Sequence, residues 1–456
     1  MTLDHASIRV PSTPISSFCY CIAIFFLGET LVRGAKHFDT IALVCVAMAI
    51  VFVALPMFLP QLRFRRKALD ALIAAGVVIG FFRLPLNDLF IQYPQSRQRL
   101  MPFFVLSVVA AVLSILVLLQ RPRSLVGGVF ALLLLDVGLM GCFYINLAAS
   151  PHVDVYVVQD LGGNALLDGN NPYAMTFPDI YGPNAGFYPA NAVVDGQVQS
   201  GYFYPPLSLL LDLPGILFGD LRFSHLTAVL LAAALIGYSR RNYAPALWLL
   251  FTPNLLFILE NAWIETFAAL MMALVIWCGE RQKTWLVPIA VGLLLVTKQY
   301  LLLTVPAVAL LPPTPWRWST TARFAIIALI SGSVVTLPFI FWNPQAFFHS
   351  MTTLYTNILR PDSISFLPMI SRIFGTRLTL ACPIVAAVPP AIIILCRAPR
   401  SPSGFAAALA LICLCMFAFS TQAFINYYFF AIAALLAAIA NTPPPPLADR
   451  DGFIIS

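Results

Sequence analysis

The sequence predicts an all-α polytopic membrane protein, and three features of the chain indicate this class. Of its 456 residues, 60% are hydrophobic and 10% are charged, whereas globular domains contain roughly 25% charged residues. The apolar residues gather in repeated runs of about twenty, the length at which a helix crosses a ~30 Å hydrocarbon layer. Short basic segments separate these runs. We therefore expect a bundle of about 13 transmembrane helices, with one large external loop that carries an amphipathic helix.

Residues 1–150 are predicted to form an N-terminal membrane block of about five helices. The first apolar run, from about Pro14 to Val32, lacks a small-residue cleavage site and is expected to be retained as a helix. Further apolar runs lie at Thr40 to Leu59, Met101 to Gln120 and Leu125 to Leu147. Few charges interrupt these runs, so we interpret the block as a scaffold.

Basic segments cap several spans: Arg63 to Lys67, Ser239 to Arg241, Glu280 to Lys283 and Arg317 to Arg323. By the positive-inside rule these segments are cytoplasmic, which places residues 148–203 outside the cytoplasm. Although the net charge is +7, no single soluble face collects it, so nucleic acid is not expected as a partner. The predicted location is the plasma (inner) membrane, with a cytoplasmic tail at 443–456.

The external loop, residues 151–203, is predicted to be the catalytic segment because it gathers acids and turn residues in an otherwise apolar chain. Its first part has apolar side chains at helical spacing: Val155, Val158, Leu161, Ala165 and Leu166. They predict a helix from Asp154 to Leu167 that lies along the membrane surface. Asp154 and Asp160 are separated by about 600° of helical turn, so they do not form a pair on one face. Asp168 and Asp179 are interpreted as structural.

Asp154 is the candidate catalytic residue. It follows a predicted span closely and lies near the interface, where the headgroup of a lipid substrate is found. A carboxylate in this position suits a general base that deprotonates an acceptor hydroxyl. The alternative is an aspartate that only caps the helix or is solvated.

Residues 204–442 are predicted to form a C-terminal membrane block with a second external loop at 342–378. Within this block, residues 205–241 must cross the membrane an odd number of times, and we favour a short re-entrant or interfacial first half. The nine cysteines of the chain lie in or beside apolar runs. Neither a disulfide framework nor a zinc site is therefore expected.

Short motifs occur through residues 125–440 in a characteristic order and spacing. They are Asp154 with Tyr156, LL-x-G-x-x-PY at Leu166 to Tyr173, YPP at Tyr204 to Pro206, PNLLFILENAWIE at Pro253 to Glu265, TKQY at Thr297 to Tyr300, LRPDSIS at Leu359 to Ser365 and TQAFINYYFF at Thr421 to Phe430. With these motifs the chain resembles the extracytoplasmic glycosyltransferases of the GT-C class, in particular family 87, whose members use polyprenyl-phosphate sugars such as polyprenyl-phosphate mannose.

The resemblance implies a GT-C-like bundle in which Asp154 is the catalytic base and Asp160 is the reserve candidate. The chain departs from the family pattern in one respect. Additional spans precede the helix that leads into the loop, whereas the family places that loop after the first span. The role of the N-terminal block is therefore open.

Other polar residues are candidate contacts for the donor phosphate. Lys298 and Gln299 lie near the external end of a predicted span, where an ammonium and an amide can bind a lipid phosphate. Snorkelling of the lysine to the interface is the alternative. Arg360 and His349 of the second external loop are candidate partners for the leaving phosphate, with Asp362 holding the arginine. The histidine is otherwise an ordinary surface residue.

Sugar or acceptor contacts are predicted from polar and aromatic residues on the external side: Tyr156, Tyr204, Glu260, Asn261, Trp263, Glu265, Gln422 and Asn426. The two glutamates equally suit caps of the following span, because acids are favoured near a helix start.

The function that these features predict is the inverting transfer of one sugar, mannose or a related hexose or pentose, from a polyprenyl-phosphate donor to a hydroxyl of a lipid or glycan acceptor. Neither a cofactor nor a metal is expected, since the loop has no ligand set with zinc spacing. A transporter or flippase of a lipid-linked sugar is the alternative, although the two halves do not match as transporter repeats do. A structural membrane partner without activity is the third hypothesis. The oligomeric state is left open.

Overall fold

The computed structural model describes residues 12–35, 37–84, 97–120, 124–182, 185–312, 317–353, 360, 362–375 and 381–442. Within these residues the chain forms 19 α-helices, a few 3₁₀ turns and five short β-strands. The predicted all-α class is therefore confirmed. The predicted cytoplasmic tail at 443–456 lies outside the described residues, as do parts of the predicted external loop at 342–378.

Five described helices precede the large loop. They are α1 (Ile15–Arg33), α2 (Thr40–Ala54), α3 (Arg66–Arg83), α4 (Arg97–Leu118) and α5 (Val126–Leu147). The side chain of Asp39 caps α2 by accepting a hydrogen bond of 2.8 Å from the backbone N–H of Ala42, which satisfies one of the unpaired donors of the first turn. Strand β1 (Ser12–Pro14) pairs antiparallel with β2 (Arg63–Arg65) and so joins the starts of α1 and α3.

The loop contains the predicted helix with the predicted bounds, α6 (Asp154–Leu167). Its buried face differs from the expected apolar stripe. Val158 and Gln159 are buried, but Leu161 is 37% exposed. Gln159 is accepted in the interior because its amide donates to the carbonyls of Val155 and Ala262, at 2.9 and 2.8 Å. Beyond α6 the loop forms a small sheet in the order β3 (Phe177–Pro178), β5 (Gln197–Val198) and β4 (Val193–Val194).

The C-terminal block consists of short and broken helices. They are α7 (Pro206–Leu217), α8 (Arg222–Ser239), α9 (Tyr243–Leu250), α10 (Leu255–Glu260), α11 (Glu265–Glu280), α12 (Leu286–Leu295), a 3₁₀ segment (Gln299–Thr304), α13 (Val305–Val308), α14 (Trp318–Trp342), α15 (Pro344–Thr353), α16 (Phe366–Phe374), α17 (Ala381–Arg397), α18 (Pro402–Ala418) and α19 (Ile425–Ala440). Helix α19 is buried along almost its whole length and packs on α1, α9, α11 and α18. It is the centre of the bundle.

Six helical segments of the described residues are long and apolar enough to cross a membrane. They are Ile15–Arg33, Thr40–Met57, Leu100–Leu118, Val126–Leu147, Arg222–Ser239 and Trp318–Trp342, and six shorter apolar helices accompany them. On α14, Leu329 and Val334 are 70% and 68% exposed, as is expected of side chains that face lipid. A multi-pass membrane protein is therefore confirmed, and the number of crossings stays a prediction.

Residues 205–241, whose crossing number was open, form α7 and α8. Helix α7 has 12 residues, about 18 Å of helix, and is too short to cross a bilayer alone. Helix α8 is one of the six candidate spans. A short α7 followed by a membrane-spanning α8 agrees in length with the short first half expected for residues 205–241. The re-entrant position of α7 stays a prediction.

Candidate functional site

Asp154 is the first residue of α6, and its carboxylate is held by tyrosines from the far part of the loop. Oδ1 lies 3.3 Å from the Tyr181 hydroxyl and accepts a 2.8 Å hydrogen bond from the Val155 N–H. Oδ2 accepts from the Tyr188 hydroxyl at 3.3 Å. Burial raises the pKa of Asp154 above its ordinary value, although the nearby Arg360 charge and these hydrogen bonds lower it. The result is a fixed carboxylate with enhanced basicity.

Arg360 lies within electrostatic range of Asp154 and is itself firmly held. Its Nε and Nη2 donate to the two oxygens of Asp362 at 2.9 and 2.8 Å, the pairing that the sequence suggested. The guanidinium also stacks on the Phe187 ring, 3.8 Å from its centroid, and lies 5.1 Å from the ring centroid of Phe424. The structure thus brings the predicted base and one predicted phosphate ligand into the same site.

Arg222 fixes the chain that leads into Asp154. Its Nη2 donates to the carbonyls of Ile145 and Ala148 at 3.3 and 3.2 Å, and its Nη1 donates to the carbonyl of Ala149 at 3.1 Å. The last carbonyls of a helix have no partner within the helix, so this one guanidinium caps α5. Asp220 in turn pairs with it at 2.6 Å.

Tyr156 lies beside this capping group, whereas the Asp160 carboxylate accepts a 3.4 Å hydrogen bond from the Asn164 amide. The Arg222 guanidinium lies 5.7 Å from the ring centroid of Tyr156. Burial, followed by the charge of Asp220, raises the pKa of Asp160. The separation of Asp154 from Asp160 agrees with the geometry expected of a helix, and the role of Asp160 as a reserve acid stays a prediction.

Lys298, Glu265 and Asn426 form a buried polar cluster. The Lys298 ammonium pairs with Oε1 of Glu265, and the Asn426 amide donates to Oε2 at 2.5 Å. Three tyrosine rings surround the ammonium, with centroids at 5.2, 5.6 and 4.6 Å: Tyr204, Tyr300 and Tyr427. Lys298, the predicted phosphate ligand, therefore contacts Glu265 and Tyr204, which are predicted sugar or acceptor contacts.

His349 and Gln299 bind backbone carbonyls of the large loop. His349 lies on α15, where its Nε2 is 2.9 Å from the carbonyl of Gln199. It borders a cleft of about 360 Å³ that also contains Tyr173 and Asn343. The Gln299 amide donates to the carbonyl of Phe203. Both side chains tie the loop to the membrane block, and their predicted contacts with the donor stay predictions.

The remaining predicted contacts lie around the start of α11 and of α19. Glu260 accepts a 2.6 Å hydrogen bond from the Tyr144 hydroxyl, and Asn261 donates to the carbonyl of Phe257. The ring of Trp263 packs edge-on against Phe257, with 5.6 Å between the ring centroids. Gln422 is half-buried before α19. Their predicted roles toward a sugar remain predictions.

Three site residues were missed by the sequence reasoning: Tyr181, Phe187 and Tyr188. They lie in the irregular part of the loop, where no periodicity indicates which side chains turn inward. The one available signal was the density of aromatic rings in a segment otherwise rich in Gly, Pro and Asn. Among the described residues, no group of three or more His, Cys, Asp or Glu side chains lies together as a metal site.

No model of a known protein family matches the chain, and no curated protein is detectably similar to it in sequence. Among solved structures, the chain is similar to the crystal structure of ArnT from Cupriavidus metallidurans bound to undecaprenyl phosphate, with a TM-score of 0.45 and 17% sequence identity. The similarity covers 68% of this chain and 59% of that chain. A likeness of this degree assigns no activity. The class that the apolar helices define is a multi-pass α-helical membrane protein.

Proposed function

We propose that this protein is a membrane glycosyltransferase that moves one sugar from a polyprenyl-phosphate donor to a hydroxyl of a lipid or glycan acceptor. The observation that carries the proposal is that the Arg360 guanidinium lies within electrostatic range of the Asp154 carboxylate. One carboxylate with a raised pKa, held by Tyr181 and Tyr188, and one guanidinium, held by Asp362, belong to the same site. A general base and a cation for a leaving phosphate are the two groups that such a transfer needs.

In the proposed reaction the acceptor oxygen attacks the anomeric carbon of the donor sugar. The bond from that carbon to the phosphate oxygen breaks, and its electron pair leaves with the polyprenyl phosphate. The acceptor proton passes to the Asp154 carboxylate, and the charge that grows on the leaving phosphate is met by the Arg360 guanidinium. Attack and departure on opposite faces invert the anomeric configuration.

The tyrosine hydroxyls make this assignment specific to Asp154. Tyr181 and Tyr188 keep the carboxylate in one orientation, and a base that is held in place does not need to reorganise during the reaction. The Asp160 carboxylate accepts a 3.4 Å hydrogen bond from the Asn164 amide of its own helix, so its orientation depends on a neighbour on α6 and not on Tyr181 or Tyr188. This difference favours Asp154 as the base.

An apolar groove supports a lipid-linked donor. The groove, about 500 Å³ in volume, runs between α12, α13 and α14 and includes Val291, Leu302 and Leu337. Its lining is mostly apolar, as a binding site for an isoprenoid chain requires. We propose mannose or a related hexose as the sugar on the strength of the family resemblance, with the reaction on the extracytoplasmic face of the inner membrane.

The proposal is tested with the purified protein in detergent, without sealed compartments. A panel of polyprenyl-phosphate sugars is offered together with lipid and glycan acceptors, and the released polyprenyl phosphate and the glycosylated product are measured by mass spectrometry. A glycosyltransferase forms both in equal amounts. The proposal is wrong if the protein consumes no donor of the panel but moves lipid-linked sugar across proteoliposome membranes. That result would identify the protein as a transporter.

A further inference from the structure

A polar cavity of about 670 Å³ lies at the end of the bundle opposite Asp154. Its lining includes Gln120, Ser124, Gly128, Arg241, Tyr243 and Arg281. Helix α5 joins the two regions, because its first turn lines the cavity and its end leads to Asp154. A helix of 22 residues is about 33 Å long. The cavity is therefore separate from the proposed active site.

Two guanidinium groups of the cavity carry no carboxylate partner within the described residues. These groups belong to Arg241 and Arg281, and both lie within electrostatic range of the Tyr243 phenol. The neighbouring Arg240 behaves differently, since its Nε pairs with Glu280 at 2.6 Å. The Arg281 Nη2 donates to the carbonyl of Tyr238 at 2.5 Å, which orients the guanidinium and leaves further N–H donors for a ligand.

The shape of the cavity leaves room for an anion beside these cations. A Cβ atom added at Gly128 would meet nothing within 4 Å, so the space in front of α5 is open. The Tyr238 hydroxyl donates to the carbonyl of Gly127 at 2.7 Å and keeps this wall in place. A planar guanidinium fork matches the oxygens of a phosphate group, and two forks on one cavity favour a ligand of that class.

Exposed apolar side chains next to the cavity residues in sequence indicate where the rest of the ligand lies. Leu119 and Leu125 flank the cavity residues Gln120 and Ser124 in sequence and are 64% and 60% exposed. They adjoin the ends of two candidate membrane spans, Leu100–Leu118 and Val126–Leu147. Aliphatic surface beside a cationic cavity is the arrangement in which pockets between membrane helices bind anionic lipid headgroups.

We propose that this cavity binds the phosphate group of an anionic membrane lipid in the leaflet opposite the Asp154 site. The ligand class is a phosphodiester or phosphomonoester headgroup with acyl or prenyl chains that lie along Leu119 and Leu125. This site does not depend on the proposed transfer reaction. It anchors the end of α5 opposite the end that Arg222 caps, and it gives the bundle a preferred orientation in a charged membrane.

Native mass spectrometry of the full chain in neutral detergent tests the proposal with three probes: phosphatidylglycerol, phosphatidylcholine and inorganic phosphate. We expect phosphatidylglycerol to bind in preference to phosphatidylcholine. The double variant Arg241→Gln/Arg281→Gln should lose about tenfold in affinity for each guanidinium removed. Lys283→Gln is the control for each single replacement, because it removes one positive charge from an exposed position outside the cavity lining and should bind normally.

Two results overturn the proposal. The first is a double variant that retains the affinity of the unchanged protein for phosphatidylglycerol. The second is displacement of the lipid by millimolar inorganic phosphate, which would assign the cavity to a soluble phosphate ligand.

Gly128→Leu provides a test that leaves both arginines intact. The side chain enters open space, and leucine is a better helix former than glycine, so the variant is expected to fold. It should narrow the cavity in front of α5 and reduce phosphatidylglycerol binding. Undiminished binding by a folded Gly128→Leu protein would place the lipid elsewhere.

Discussion

The ammonium of Lys298 and the carboxylate of Glu265 form an ion pair that protein encloses almost completely. Their side chains are 4% and 0% exposed. Glu265 begins α11, and Lys298 lies between α12 and the following 3₁₀ segment, so the pair joins two separate parts of the bundle. Each charge cancels the other. A donor phosphate at this position would meet a neutral pair, which favours a structural role for Lys298 over the donor contact that its position in the sequence suggested.

Replacement of Lys298 by methionine tests this role. The change leaves the Glu265 carboxylate buried without its cation, and breaking a buried pair in this way costs about 3–5 kcal/mol of stability. The double variant Lys298→Met/Glu265→Gln removes both charges and should recover most of that loss. Thermal unfolding in detergent measures both effects, with Lys283→Met as the exposed control. Unchanged stability together with a raised KM for the donor would restore Lys298 as a phosphate ligand.

Asp154→Asn is expected to abolish transfer, because the amide cannot accept the acceptor proton. The variant should nevertheless fold well. Folding raises the pKa of Asp154, so the folded state favours the neutral carboxyl and loses stability as the pH rises through that raised pKa. A neutral asparagine avoids this loss, and the variant should unfold at the same temperature as the unchanged protein or at a higher one near pH 7.

Asp160→Asn is the matched control for this experiment. It removes a second carboxylate of the same helix that also has a raised pKa but contacts neither Tyr181 nor Tyr188. We expect turnover close to that of the unchanged protein. The opposite pattern, an inactive Asp160→Asn protein beside an active Asp154→Asn protein, would transfer the role of base to Asp160.

The raised pKa of Asp154 also predicts the acid limb of the pH profile. A general base works only when ionised, so kcat/KM should fall with decreasing pH at a value above the ordinary aspartate pKa of about 4. Tyr188→Phe removes a hydrogen bond that lowers the pKa of Asp154, and it should move the acid limb to still higher pH. Initial rates measured across a series of buffers check both statements. If Tyr188→Phe does not move the acid limb, a group other than Asp154 is responsible for it.

Local sequence signals predicted the parts of the site that depend on neighbouring residues. The helix at Asp154–Leu167 followed from residue spacing and from the turn at Gly169, and the Arg360–Asp362 pair followed from two residues that almost adjoin. Tyr188 and Asp154 are 34 positions apart, with an irregular segment between them, so no local rule brings them together. The contact depends on how the small sheet folds the loop back over α6.

The same limit applies to the contact between Lys298 and Glu265. They are 33 positions apart and lie in different helical segments, and their pairing is decided by the packing of α11 against α12. The sequence also indicated repeated apolar runs of about twenty residues, whereas the C-terminal block has helices as short as the four residues of α13. Tertiary packing can stabilise such short helices although their own propensity cannot.

Arg360→Lys is expected to weaken donor binding although it keeps the positive charge. Lysine lacks the planar fork that pairs with both oxygens of Asp362 and the flat face that stacks on Phe187. The cation would no longer be held toward Asp154, so the KM for the donor should rise about tenfold. The control is Arg240→Lys, the same exchange in an ion pair far from Asp154. Equal donor KM values for the two variants would contradict the assignment of Arg360.

Close packing of α3 against the break between α9 and α10 gives a prediction about stability. A Cβ atom at Gly80 would lie 1.7 Å from the carbonyl oxygen of Phe251, and this backbone atom cannot move aside without displacing α9. Gly80→Ala should therefore destabilise the protein by about 1–3 kcal/mol, despite the better helix propensity of alanine. Gly128→Ala makes the same exchange in open space and should gain up to about 1 kcal/mol. The unfolding temperatures of the two variants are compared in the same detergent. Equal temperatures would contradict the close packing of α3 on Phe251.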